Sequence, residues 1–120
     1  MYTFSFEKLE VWKEASGLVK KLYGLLKDFP QEEKYGLVSQ MKRSSISIAS
    51  NLAEGTSRIT NKDKAHFTTM AYSSTMELLN QLILAKELGF LSHDNYIDLR
   101  SSISKISNML NGLRKSQLNA

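Results

Sequence analysis

Cysteine is absent from the 120-residue sequence, which excludes a disulfide framework, a thiolate zinc site and a cysteine nucleophile and fits a reducing cytoplasm. Proline occurs once, at Pro30, so almost nothing in the chain forbids helix. Alternating β-branched runs are also scarce, and an all-α fold is the expectation. The apolar runs are only a few residues long, and Met1-Tyr2-Thr3-Phe4-Ser5-Phe6 carries neither the basic nor the long apolar segment of a secretion signal. A cytoplasmic protein with no membrane partner is expected from that. Glycines are few and isolated, Gly55 and Gly89 among them, so no glycine-rich phosphate loop exists. The two histidines, His66 and His93, stand apart without a second histidine at ligand spacing, and each reads as a surface residue. Glu54 and Glu77 could face each other across a bundle, but carboxylate-bridged metal bundles also need Glu-x-x-His pairs, and none occurs. No enzyme chemistry, metal or organic cofactor is therefore expected. The surplus of charge is small as well, +4 from 16 Lys and Arg against 12 Asp and Glu, and carries little information by itself.

What is present begins with the stretch from Lys42 to Arg58. As a helix it puts Met41, Ser45, Ile48 and Leu52 on one face. Arg43, Ser47, Asn51, Glu54 and Arg58 recur along another as a polar stripe, in which Glu54 is expected to pair with Arg43 or Arg58. The many Ser and Ala residues let a neighbouring helix approach closely, so this should be an inner helix of a bundle.

Around it, the periodicity predicts one domain over residues 1–120 with helices near 7–27, 32–57, 61–88 and 92–115, long enough in total to bury a core without staples. In the first, Leu9, Trp12, Ser16, Val19, Tyr23 and Leu26 follow helical spacing, widened by Val11, Leu18, Leu22 and Leu25, and Trp12 reads as a packing residue. Asp28-Phe29-Pro30 stops it. The second ends at Gly55 or shortly after, and Thr60 with Asp63, or else Asn61, starts the third. The third helix carries two apolar stripes. Phe67, Ala71, Ser74, Leu78, Leu82 and Ala85 suffice for a core, which leaves Tyr72, Met76, Leu79 and Ile83 as an expected oligomer interface. Gly89 reads as a left-handed cap with Phe90 or Leu91 folding back, and Ser92 as the N-cap of a fourth helix with the seam Tyr96, Leu99, Ile103, Ile106, Leu110 and Leu113. Short connections imply an antiparallel up-down-up-down four-helix bundle.

That topology gathers the start of the first helix, the second-to-third connection and the end of the fourth at one end. Arg58, Lys62, Lys64, Arg114 and Lys115 collect there against Glu7, Glu10 and Asp63. Asp28, Glu32, Glu33, Glu87, Asp94 and Asp98 collect at the other end against Lys27, Lys34 and Lys86. The five cations are candidate nucleic-acid-binding residues, since clustered Lys and Arg attract phosphates.

Ser47-Ile48-Ala49-Ser50-Asn51-Leu52-Ala53-Glu54-Gly55, followed by Arg58, resembles the signature of the four-helix-bundle family encoded in intervening sequences of bacterial large-subunit ribosomal RNA genes. Ser74 to Leu82 with Leu88-Gly89-Phe90-Leu91 resembles the family's third helix and exit, and Phe6 to Trp12 its opening. The chain departs from that pattern at Ala49, usually Pro, at Lys42-Arg43, usually two Arg, and at Leu79, usually a second Glu. The resemblance implies the bundle fold. Through the related accessory variability-determinant proteins of diversity-generating retroelements, barrel-like pentamers that bind nucleic acid and a reverse transcriptase, it also implies a ring-like homo-oligomer, with a pentamer the expected size, associated with RNA or DNA. The alternative it leaves is an adaptor that docks a partner protein without touching nucleic acid.

Overall fold

The computed structural model describes residues 1–120 and contains four helices, α1 (Glu10–Leu26), α2 (Leu37–Thr56), α3 (Asn61–Glu87) and α4 (His93–Leu118), with 3-10 turns at Ser5–Lys8 and Gln31–Glu33 and no strand. Local chemistry sets their ends. Thr60 Oγ1 accepts the Asp63 N–H at 3.1 Å and Ser92 Oγ accepts the Asn95 N–H at 3.2 Å, each satisfying a donor that an open helix start leaves unpaired. After α3 the chain turns through Gly89 at φ +81°, the one positive φ in the protein, and the Phe90 N–H reaches back to the Ala85 carbonyl at 2.9 Å. A side chain at that φ would be strained, so glycine is required there.

Two helices start later than their periodicity indicates. Glu7 does not open α1; its carboxylate accepts the Phe4 N–H at 2.7 Å, closing the 3-10 turn, and Leu9 is extended before α1 begins at Glu10. Pro30 and the acids after it make only a 3-10 turn, and Glu33 Oε1 instead accepts the N–H of Leu37, where α2 begins. The acidic segment thus caps α2 from outside.

Each helix meets two neighbours. α1 lies against α2 and α4, α3 lies against the same two, and the diagonal pairs come nowhere within 8 Å between Cα atoms, which is the up-down-up-down arrangement. In α4 the expected seam is the buried one, with Tyr96, Leu99, Ile103, Ile106 and Leu110 inside and Leu113 half-buried. In α1 the buried stripe is Val11, Ala15, Leu18, Leu22 and Leu26, while Leu9, Trp12, Ser16, Val19 and Tyr23 form a half-buried flank. The expectation centred that face about one residue off: Ala15 is too small to stand out in a pattern, yet it is fully buried and marks where α1 approaches its neighbours. Trp12 packs against the core and edge-to-face on Phe6 at 5.1 Å.

α3 buries two threonines that a hydrophobic pattern passes over. Thr68 and Thr75 donate to the carbonyls of Lys64 and Ala71, at 3.2 and 2.8 Å, so their hydroxyls enter the interior satisfied. The α2–α3 seam is the most intimate. Ser47 and Ser74 hydroxyls meet at 2.9 Å, and a Cβ placed on Gly55 would stand 2.9 Å from the Cβ of Phe67, so the small residues of α2 admit α3 as expected. No helix is long and apolar enough to cross a membrane.

Candidate nucleic-acid interface

At one end of the bundle, Ser5 and Leu9 ahead of α1, Thr56 at the end of α2, Asn61 and Lys64 at the start of α3, and Leu113, Ser116, Gln117 and Ala120 in and after the last turns of α4 line a hollow of about 310 Å³. The convergence that the topology implied is therefore present. Asn61 Nδ2 donates to the Ala120 carbonyl at 3.5 Å across it, and Thr68 Oγ1 donates to Gln117 Oε1 at 2.7 Å beside it.

The five cations stand at this end of the bundle, with Lys64 lining the hollow and Arg114 lining a neighbouring one. Arg58, Lys62, Arg114 and Lys115 are exposed, Lys64 is half-buried at the rim, and none is paired with a carboxylate. Two are already oriented. The Arg58 guanidinium lies over the Phe67 ring at 4.3 Å, and Arg114 Nε donates to Thr69 Oγ1 at 2.7 Å, leaving the terminal nitrogens of both free. Of the acids at this end, Glu7 is occupied by the Phe4 N–H and Glu10 by Lys13, which leaves Asp63 and Glu54 unpaired. Lys8, exposed in the turn beside Leu9 and without a carboxylate partner, belongs with this group although charge counting along the helices missed it. Its signal was its place next to the first helix's start.

The opposite end is closed by Phe29 against Phe90, ring centroids 5.9 Å apart, with the acidic connections around them. Asp98 there is tied to Lys21 at 2.9 Å, and Lys21 also donates to Ser102.

The polar stripe of α2 does not form one site. Arg43 donates to Gln40 and Glu77, at 2.8 and 3.1 Å, and Glu77 also accepts the Ser44 hydroxyl. The Ser44 hydrogen bond foremost, and behind it the hydrogen bond and charge of Arg43, hold the Glu77 carboxyl below the usual carboxylate range against the opposing effect of burial. Asn51 donates to the carbonyl and hydroxyl of Ser47 within its own helix. Glu54 is exposed and pairs with neither Arg43 nor Arg58, contrary to expectation. Arg43 is eleven residues away, about 16 Å along the axis at 1.5 Å per residue, and Arg58 has turned onto Phe67 instead.

On α3, Tyr72, Met76, Leu79 and Ile83 are all half-buried, and Tyr72, Leu79 and Ile83 pack against the core. This stripe is therefore shared between interior and surface, and the more exposed apolar residues are Met70 and Leu84 on α3 and Leu88 just past its end.

Comparison with known proteins agrees with this architecture. A crystal structure of a protein of unknown function from the S23 ribosomal protein family of Bacteroides thetaiotaomicron is similar in fold, with a TM-score of 0.81 and 20% identity over 88% of this chain and 95% of that one. No curated protein matches the chain in sequence. The family model described as 23S rRNA-intervening sequence protein matches residues 7–112, a span that takes in α1, α2 and α3 and most of α4. The chain belongs to the 23S rRNA-intervening sequence protein family.

Proposed function

We propose that the protein is a non-enzymatic helical bundle that associates with RNA or DNA through its basic end and does so as a homo-oligomer. The observation that carries this reading is the convergence of five cations free of carboxylate partners, from the exit of α2, the first turn of α3 and the last turns of α4. Cations near a helix C-terminus are favoured by the helix dipole alone, which accounts for Arg114 and Lys115. Lys62 and Lys64 stand at a helix start, where the dipole opposes them, so another role is needed for them. A family named for intervening sequences of ribosomal RNA fits a nucleic-acid setting.

Binding of this kind releases counterions, and contacts from about four side chains should give a log-log salt slope of roughly −3 to −4. Reversing Lys62 and Lys64 together to Glu should abolish retention of mixed RNA or DNA in a gel shift. Lys20→Glu is the control, because Lys20 is exposed and unpaired away from that end, whereas Lys21 is engaged with Asp98 and would perturb the α1–α4 contact. Equal loss from control and test would mean that only diffuse charge acts. No retention by the unmodified protein at low salt would favour the adaptor that docks a partner protein.

For the oligomer, Met76 is the cleaner probe, since Leu79 also packs against the core. Met76→Lys should dissociate the assembly, seen as slower sedimentation at micromolar concentration with helical content unchanged, because an interface would desolvate the new charge without a partner. An unmodified protein that sediments as a monomer at every concentration would end the oligomer reading, ring and pentamer included.

A further inference from the structure

Beside the basic end, the α3–α4 surface holds a second hollow of about 210 Å³, lined by Thr68, Thr69, Tyr72, Leu110, Asn111 and Arg114. The Thr68–Gln117 hydrogen bond stands between the two hollows, for Thr68 lines this one and Gln117 the first. The lining side chains are of two kinds. The single Thr68 hydroxyl proton is shared between the Lys64 carbonyl and Gln117 Oε1, that of Thr69 goes to the Ala65 carbonyl, and Thr69 in addition accepts from Arg114 Nε. Tyr72 and Asn111 have no hydrogen-bond partner in the protein: a phenol hydroxyl and an amide with both donor and acceptor capacity stand ready in a groove whose one charge is Arg114.

We infer that this groove takes one unpaired nucleobase of a single-stranded segment, RNA or DNA, with Tyr72 as the stacking surface, Asn111 on the base edge and Arg114 on the adjoining phosphate. The inference rests on the nucleic-acid reading of the basic end and names the form of nucleic acid that end is built for. An aromatic face, a side-chain amide and a fixed guanidinium together are the groups by which proteins hold splayed-out bases. A base within a duplex has both faces stacked and its pairing edge occupied, so it has nothing to offer such a groove. The hollow is also smaller than the ~300–1,000 Å³ of drug-sized ligand sites, which suits one ring system.

The test is fluorescence anisotropy with short labelled oligonucleotides, single-stranded and duplex, each as RNA and as DNA, all compared over the same series of salt concentrations. The unmodified protein should prefer single strands, and the sugar that binds more tightly identifies the source. Tyr72→Leu keeps apolar volume but removes the ring, and should weaken single-strand binding by roughly 5- to 150-fold, the range for loss of one base-aromatic stack, with duplex binding and salt slope unchanged. Asn111→Ala, at an exposed position that leaves the fold intact, should weaken single-strand binding by a smaller factor. Equal affinity of the unmodified protein for single and double strands, or wild-type behaviour of both variants, would overturn the inference. So would a loss in Tyr72→Leu that tracks slower sedimentation, which would place Tyr72 at a subunit contact instead. If binding persists and depends on Lys62 and Lys64 while Tyr72 and Asn111 are indifferent, the groove alone is wrong. If no oligonucleotide binds at all, the reading of the basic end fails with it.

Discussion

Replacing Leu82 with alanine should lower the free energy of unfolding by about 2–5 kcal/mol, the lost transfer energy of the removed methyl groups plus the cavity they leave. Leu82 is fully buried in α3, within a core to which all four helices contribute. Leu78, one turn before it on α3, is itself fully buried, as are Leu99 and Ile103 on α4, so little collapse into the gap is available. Leu82→Met conserves volume and should cost less than about 1.5 kcal/mol, which separates packing from mere tolerance of the position. The measurement is urea unfolding followed by helical circular dichroism, at one fixed protein concentration because any self-association adds to apparent stability. The midpoint should fall with the slope unchanged. Against a total of about 5–15 kcal/mol for a domain of this kind, the upper part of the range would leave the variant barely folded, whereas a loss below about 1 kcal/mol would show that this layer repacks freely.

Gly55→Leu should cost about 3 kcal/mol or more and weaken nucleic-acid retention along with stability. Even the first added carbon would lie 2.9 Å from Phe67 Cβ and 3.7 Å from the Lys64 carbonyl. Phe67 Cβ is fixed to the α3 backbone, so no rotamer change relieves the clash and the two helices must separate. For Gly55→Ala the gain in helix propensity, about 1 kcal/mol, offsets part of an overpacking cost of about 1–3 kcal/mol, and a net loss of about 1 kcal/mol is expected. The functional consequence follows from what surrounds the contact. Phe67 carries Arg58 on its face, and Lys62 and Lys64 stand on α3 itself, so a displaced α3 moves three of the five cations together. Unfolding curves and gel shifts on the same pair of variants check both halves. A Gly55→Leu protein as stable as the parent would mean that the seam opens without cost.

The legible parts of this fold were those in which one physical signal dominated. Helix α4 was readable because its six seam positions are large and apolar and most of the intervening ones, Ile97 and Met109 apart, are polar, so period and burial coincide. Gly89 was readable because it is nearly the only residue type its backbone position accepts, and Ser92 because it is one of the few that cap a helix start with a side-chain oxygen. The start of α2 was not, since Pro, Gln and two acids suit a first turn, and only the structure shows Glu33 spending its carboxylate on the Leu37 N–H from outside the helix. The interior of α3 was half-legible: Ala71, Leu78, Leu82 and Ala85 stood in the expected stripe, but buried Thr68 and Thr75 look polar until their hydroxyls are seen bound to their own helix. At the candidate site, the sequence together with the topology brought the five cations to one end. It had no means of showing that Arg58 lies on Phe67 or that Arg114 is fixed by Thr69, because those contacts depend on the angles at which helices cross. For the same reason the groove that Tyr72 lines beside Arg114 was not visible in the sequence.

The separation of charge along the bundle bears on how an encounter begins. The molecule measures 45 × 30 × 22 Å, and α3, with 27 residues, runs most of the long dimension at about 1.5 Å per residue. Its positive and negative ends are thus far apart relative to the screening length of about 8 Å at physiological ionic strength. Such a body feels a torque in the field of a polyanion before it touches it. It turns its cationic pole forward while the acidic pole is pushed away, and the fraction of collisions that arrive correctly oriented rises without any new contact being made. Added salt would erase this alignment first, so arrival would slow while the residence of molecules already seated changed less.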